Sequence, residues 1–392
     1  MNKKFLDLGY QPLANEYLSR YRSNHKKYKL KIFFNLKNKL VSISKRIPSR
    51  EMFTNKYPYR SSLSKTMQNS FYKLSKEISK SFKPNMVLEI GSNDGALISH
   101  FKKQNVIGVE PCSNLAKITK KKGFTTYDNY WEFKLAKKLK KKYKKIDLIY
   151  SANTLTHISD LKDVFKSIDL LLSTNGILII EDPSLLECLK KNSYDQFYNE
   201  HIYLFSTLSV QNIIKNFNLE IFNLKNLDTH GGSIRYYIKR KTNKKLKILP
   251  TVKKQLKKEL QFGLDKYNTY RKFSNNVKRS KLSLIKLLLN LKKKNKKIIG
   301  YGATAKAVTV LNYCNIDNTI IDFFTDTTPE KVNKFMPGKK INIIKYKKNI
   351  LDKIDYAFLG AWNFKKEIFK KEKKFLNNGG KFITHIPFPK II

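Results

Sequence analysis

The stretch VLEIGSNDG, Val87 to Gly95, carries a carboxylate, two glycines and two short polar side chains around a turn between apolar segments. Gly91 and Gly95 let backbone approach a ligand closely, and a helix opening after the turn presents free N–H groups. Glu89 precedes the turn, and Asn93 and Asp94 lie in it. The next apolar run, VIGVE, ends in Glu110, about 20 residues on, where a carboxylate accepts both hydroxyls of a ribose. A pyrophosphate needs the closer packing of G-x-G-x-x-G, whereas this turn reads G-x-x-x-G. The pattern therefore fits a ligand made of a ribose and a charged amino acid. Asn153, just past IDLIYSA, is a further candidate ligand, because loops at the carboxyl ends of strands line such sites.

Other residue groups hold chemistry with less specific spacing. GYGATAK, Gly300 to Lys306, follows an apolar run and opens a helix, which fits a phosphate contact with Gly302 in the turn and Lys306 on the charge. The third fingerprint glycine is missing, which disfavours NAD. His230 in THGGS precedes two glycines that permit a tight bend, so it either faces a substrate or caps a strand. His157, after SANTLT, is equally open. Tyr198, Glu200 and His201 fall together in YNEH ahead of the strand-like IYLFS, and on their own they read as ordinary polar loop residues.

These groups need elements to hold them. From Phe71 an amphipathic helix leads to Lys83-Pro84, after which MVLEI, VIGVE, IDLIYSA and GILIIED read as strands separated by helical segments. Such alternation predicts a parallel sheet covered by helices. From about Pro250 to Lys297 a Lys-rich segment with apolar residues at helical spacing predicts one long connecting helix. KIIGYGATAK, IIDFFTD, YAFLGAW and GGKFITHIPFP then predict a second, smaller α/β domain. Residues 1 to about 65 are basic, irregular and rich in Tyr, Asn and Ser, which predicts a small cap or lid.

The formal net charge is +50, but only nine of the 80 basic residues are Arg, and Lys, Asn and Ile are abundant along the whole length. That looks like AT-rich coding bias, so specific nucleic-acid binding is not expected. A cationic surface still attracts anionic small molecules, including nucleotide-linked ones. Cys112, Cys188 and Cys314 lie far apart, which predicts neither a disulfide framework nor a Cys-rich zinc site and points to a reducing compartment. Without a signal-like N-terminus or an apolar run of roughly 20 residues, a cytoplasmic protein that does not enter the membrane is expected. The oligomeric state is not legible.

Methyltransferases of the α/β type carry an acidic residue just before the glycine turn, matched by Glu89, so S-adenosylmethionine is the expected cofactor. More specifically, the chain resembles the sugar C-methyltransferases that act on nucleotide-linked keto-deoxysugars. FLDLGYQPLANEYL, YPYRSS, LEIGSNDG, SANTLTHI, QFYNEHIYLFS, THGGSIRYYI, GYGATAK, AWNFKKEI and GGKFITHIP match in order over nearly the whole length. The resemblance implies a substrate lid over 1–65, a class I methyltransferase Rossmann-like domain over 66–245, and a linker helix with a second Rossmann-like domain over 246–392. It places Tyr198, Glu200 and His201 on the family's catalytic Tyr, Glu and His, and Tyr59 or Tyr57 near a further active-site Tyr of the lid.

Methylation in that family falls on a carbon beside a ketone, so a base must remove a proton and other groups must hold the enolate oxygen. Neutral His201 is the expected base, with Glu200 orienting its ring and Tyr198 donating to the oxyanion or relaying the proton. Two departures stand out. Asn35 and Asn38 replace a zinc-binding C-x-x-C pair, and the start at Met1 leaves no room for the upstream pair, so zinc is not expected. Asn199 replaces a His, removing one proton carrier. O- or N-methylation of a related anionic metabolite, a non-catalytic nucleotide-sugar-binding relative, and a nucleotide-sugar oxidoreductase are the competing readings.

Overall fold

The computed structural model describes residues 1–44 and 46–392. Its first elements are strands, against the irregular lid expected from composition: β1 (Asn2–Pro12), β2 (Lys27–Asn35) and β3 (Val41–Ile43) pair antiparallel in sequence. In β2, Tyr28, Leu30, Ile32 and Phe34 are buried while Lys27, Lys29 and Lys31 take the first three alternate positions. The period of two was present, but the Lys content masked it. Leu36–Lys39 closes the β2–β3 turn with side-chain hydrogen bonds: Asn35 Oδ1 accepts from the Lys37 and Asn38 amides, and Asn38 Oδ1 from the Leu40 amide. The two asparagines at the positions of the family's metal ligands thus act as turn residues.

The central sheet contains β4 (Val87–Ile90), β5 (Val106–Val109), β6 (Thr125–Tyr127), β7 (Ile146–Ala152) and β8 (Leu172–Pro183), all parallel. After them β9 (Tyr203–Leu204) leaves to pair with β3, so the segment following YNEH is the fourth strand of the N-terminal sheet. β10 (Leu219–Leu227) and β11 (Ser233–Arg240) return to the central sheet, β11 antiparallel to β8, giving the order β10-β11-β8-β7-β4-β5-β6. The helix before β4 spans Lys65–Ser81 and is capped by Ser64, which accepts from the Met67 amide.

The expected single long helix is two. Pro250–Phe262 starts on a proline at its first turn and ends where Gly263 takes φ +84°, a left-handed conformation that closes the helix; Tyr267–Lys293 follows. Tyr270 of the second helix stacks on Phe34 of β2 at 4.2 Å, and Phe5, Phe197 and Phe273 pack around it. Aromatic pairs of this kind contribute about 0.5–1.5 kcal/mol each beyond burial, and this cluster locks the residue preceding Tyr198 onto the N-terminal sheet.

The last sheet holds β12 (Ile298–Tyr301), β13 (Phe323–Asp326), β14 (Asn342–Lys345), β15 (Tyr356–Leu359), β16 (Lys381–Thr384) and β17 (Lys390–Ile391) in the order β14-β13-β12-β15-β16-β17. All are parallel except β17. The chain is therefore an α/β protein with two Rossmann-like sheets and an antiparallel N-terminal sheet. No helix among the described residues is long and apolar enough to cross a membrane.

Candidate active site

Strand order reverses between β4 and β7 in the central sheet and between β12 and β15 in the last one, and open α/β sheets bind ligands at the carboxyl ends of strands at such points. Here both switch points open into one cavity of about 410 Å³. The N-terminal region closes it. Asn15, Tyr57 and Tyr59 contribute to its wall, and Tyr17 donates to the Ala303 carbonyl at 2.8 Å, joining this region to the last sheet.

On the central-sheet side, Gly91 has φ +74°, and a Cβ there would lie 2.1 Å from Thr154 Oγ1, so only glycine fits. Glu110 Oε2 accepts from the Asn93 amide and Oε1 from the Cys112 amide, each at 2.8 Å. Burial pushes the Glu110 carboxyl up, while those two N–H groups oppose the rise. Glu89 is held well above the usual carboxylate range by burial and by the charge of Glu110, and its Oε2 has no partner among the described residues. Asn153 has φ 51°, lines the cavity and leaves Oδ1 buried without a partner among the described residues. A buried, unpaired amide oxygen lining the same cavity as a clamped carboxylate fits a ligand with ribose hydroxyls and an ammonium group.

Two of the expected cofactor ligands turn elsewhere. Asn93 borders the cavity, but its Oδ1 accepts from the Ser61 amide and its Nδ2 donates to the Tyr59 carbonyl. Asp94 accepts from the Ser62 amide and hydroxyl and does not line the cavity, and neither does Gly95. Both side chains fasten the strap Tyr57–Ser64 over the turn. Arg60 of that strap forms an ion pair with Glu330 of the last domain.

YNEH is also divided in its work. His201 Nδ1 lies 2.7 Å from the Gln196 carbonyl oxygen, which can only accept, so this nitrogen carries the proton. His201 Nε2 is then the acceptor for the Tyr198 hydroxyl at 2.5 Å. Burial and the neighbouring His157 push the imidazole well below its usual range, so it rests neutral; burial and the charge of Glu200 raise the Tyr198 phenol well above its own. His157 stacks between Phe53 and His201, and its Nε2 and that of His230 are buried without partners among the described residues; burial lowers both rings to about 3.

Glu200 does not orient His201, contrary to expectation. It accepts from Tyr57 at 2.9 Å and from Asn15 Nδ2 at 2.8 and 3.0 Å, tying two points of the N-terminal region together. Burial raises its carboxyl to about 7 against those hydrogen bonds. Tyr57 is the buried lid tyrosine, whereas Tyr59 lies at the cavity rim and is 37% exposed. Asn199 faces away from the cavity and donates to the Gln11 and Pro12 carbonyls, so the departure at this position fastens β1.

On the last-sheet side, Gly302 (φ +85°) and Lys306 line the cavity, the latter with its charge disfavoured by burial. Its ammonium sits 5.7 Å over the Trp362 ring, whose Nε1 donates to Asp195 at 2.6 Å. Burial pushes the Asp195 carboxyl up, but His385 at 3.1 Å and Lys306 outweigh it and hold it below the usual range. Lys331, Asp326, Gln196 and Asn15 also line the cavity and were not singled out in the sequence. Asp326 ends FFTD just over 20 residues past Gly302, the same signal that marks Glu110.

A seven-stranded sheet in this order, with a ribose-type carboxylate and the glycine turn at its switch point, is that of a class I S-adenosylmethionine-dependent methyltransferase, and this chain is such an enzyme. Family models agree: a methyltransferase domain matches residues 60–224, and a C-methyltransferase C-terminal domain matches 228–387. The chain is 31% identical over 309 residues to C-methyltransferase NovU from Streptomyces niveus, covering 78% of this chain and 73% of that protein. It therefore belongs to the C-methyltransferase family whose motifs it resembles.

Among solved structures, magnesium protoporphyrin IX methyltransferase from Synechocystis PCC 6803 with bound S-adenosylmethionine is 14% identical, covering 44% of this chain and 79% of that one, with a TM-score of 0.32. An S-adenosylmethionine-dependent methyltransferase from Clostridium acetobutylicum ATCC 824 is also 14% identical, covering 44% and 90%, with a TM-score of 0.32.

Proposed function

We propose that this enzyme methylates a carbon next to the ketone of a nucleotide-linked deoxysugar, and that Tyr198, backed by His201, is the group that moves the proton. The observation that carries this reading is the direction of the Tyr198–His201 hydrogen bond inside a cavity shared by both Rossmann-like sheets. When bound, S-adenosylmethionine supplies an electrophilic methyl group, which a carbon nucleophile takes from sulfur. Glu110, Asn153 and the turn at Gly91 would hold it, with Glu89 beneath.

The resting pair is neutral: the phenol keeps its proton and points it at His201 Nε2. As a C–H proton moves to the Tyr198 oxygen, the phenolic proton passes to Nε2, leaving phenol, imidazolium and enolate. Burial disfavours the imidazolium alone, so the relay runs only when negative charge appears beside it. His157 and His230, each neutral with Nε2 facing no protein partner, can donate to the developing oxyanion if the proton sits there. Lys306 and Lys331 add positive charge on the side where a diphosphate would lie. Glu200, Tyr57 and Asn15 hold the N-terminal region down over this chemistry and exclude water.

Incubation with methyl-¹³C S-adenosylmethionine and a panel of nucleotide-linked keto-deoxysugars tests the reading. A new methyl resonance in the C–CH₃ region coupled to sugar carbons is expected. A methyl signal in the O–CH₃ or N–CH₃ region would assign the enzyme to the competing chemistry instead.

A further inference from the structure

His230 lines the cavity from the turn Thr229–Gly232 between β10 and β11, where it takes φ 53° and ψ 19°. A left-handed conformation in a residue other than glycine persists only where its surroundings over-determine it. Three groups of the central domain hold this turn. Gln196 Nε2 donates to the His230 carbonyl at 2.7 Å, Lys191 Nζ to the Gly231 carbonyl at 2.6 Å, and the Ser184 amide to the Gly232 carbonyl at 2.9 Å. The last domain adds the ring of Trp362. A Cβ on Gly231 would lie 2.3 Å from Trp362 Cη2, so the indole rests directly on the residue that follows His230.

That indole is held by the neighbour of Gln196. Trp362 Nε1 donates to Asp195 Oδ2 at 2.6 Å, and His385 Nε2 lies 3.1 Å from the same oxygen. Asp195 and His385 are fully buried, and His385 stacks on Phe358 of β15 with 5.7 Å between ring centroids. Two adjacent residues therefore grip the turn: Gln196 through the His230 carbonyl, and Asp195 through the indole laid on Gly231. We propose that Asp195 and Trp362 are positioning residues: the carboxylate fixes the indole, the indole fixes Gly231, and His230 is thereby aimed at the oxygen where enolate charge develops. A donor fixed before the reaction needs no reorganisation when that charge appears. Docking of the last domain thus completes the placement of a group that the central domain carries.

This inference rests on the enolate reading above, in which His230 donates to the oxyanion, and is tested apart from it. The enzyme is labelled with ¹⁵N-histidine and saturated with S-adenosylhomocysteine, and His230 is assigned among the six histidines by His230→Gln. Trp362→Phe keeps a ring over Gly231 but removes the N–H, and should shift the His230 ring signals while those of His157 hold. With the keto-deoxysugar that the enzyme methylates best, Trp362→Phe should lower kcat roughly 10–100-fold and change KM less than about twofold. Asp195→Ala should match it, and Asp195→Asn, which keeps an acceptor for the indole, should restore most of the rate. Combining Trp362→Phe with His230→Gln should give the kcat of His230→Gln alone, because a residue acting through another adds nothing once that other is gone. Multiplied effects in the double variant, an unmoved His230 signal, or wild-type kcat in Trp362→Phe would overturn the positioning role and leave the enolate reading standing. Wild-type kcat in His230→Gln would overturn the part given to His230 and this inference with it.

Discussion

The two ends of the cavity share a left-handed glycine turn and differ in the groups beside it, carboxyls at one end and lysines at the other. At the central-sheet end Glu89 and Glu110 face the ligand space; at the last-sheet end Lys306 and Lys331 accompany Asp326. S-adenosylmethionine is a cation at its sulfonium and ammonium, whereas a nucleoside diphosphate is an anion. The difference teaches that similar glycine turns can carry different flanking groups, and the proposed division, with the cofactor at the carboxyl-lined end and the nucleotide at the lysine-lined end, follows from those groups. Between the ends lie the groups that rest neutral, Tyr198, His157, His201 and His230, where the proposed proton transfer would take place.

The largest effect is expected at that junction. Tyr198→Phe removes the relaying hydroxyl and should lower kcat by roughly 10²–10⁴-fold, with S-adenosylhomocysteine affinity unchanged by calorimetry. Next comes the acidic end: Glu110→Ala should weaken S-adenosylhomocysteine binding about 100-fold, through loss of two charge-assisted hydrogen bonds, while nucleotide affinity is kept. The basic end should give the complementary result. Lys306→Met is expected to raise the KM for the nucleotide-linked substrate about tenfold and leave cofactor affinity alone. A variant that weakened both ligands equally would break the division of labour between the ends.

The last effect is on stability rather than on turnover or affinity, and it concerns the lid tie. Glu200 has its carboxyl raised from 4.5 to about 7, so between those values the folded state holds a proton that the unfolded chain has lost. Stability should therefore fall as pH rises through that window, by up to ~3 kcal/mol, and be constant below it. Glu200→Gln should flatten the slope, which urea melts at pH 5 and pH 8 would read.

Much of this arrangement was legible in the sequence because it is local. Glu89, Gly91, Glu110 and Gly302 sit at strand ends, and a strand followed by a glycine turn announces itself within ten residues. What the sequence hid is contact across distance. Glu200 adjoins His201 in the chain, yet successive residues of a turn point different ways, and its partners Asn15 and Tyr57 lie more than 140 positions earlier. Asn93 and Asp94 read as ligands because they sit in the ligand turn, while the strap from Tyr57 to Ser64 consumes their side chains. The N-terminal strands were missed for a compositional reason: Lys27, Lys29 and Lys31 crowd the more exposed face of β2, and the buried alternation beneath them is visible only once the faces are separated.

The most direct test is hydrogen exchange at the reacting carbon. The enzyme, saturated with S-adenosylhomocysteine so that no methyl can transfer, is incubated in D₂O with a nucleotide-linked keto-deoxysugar it methylates. NMR then follows the proton beside the ketone. Exchange that is rapid with the wild type and abolished by Tyr198→Phe is the predicted result; exchange undiminished in that variant would contradict the account.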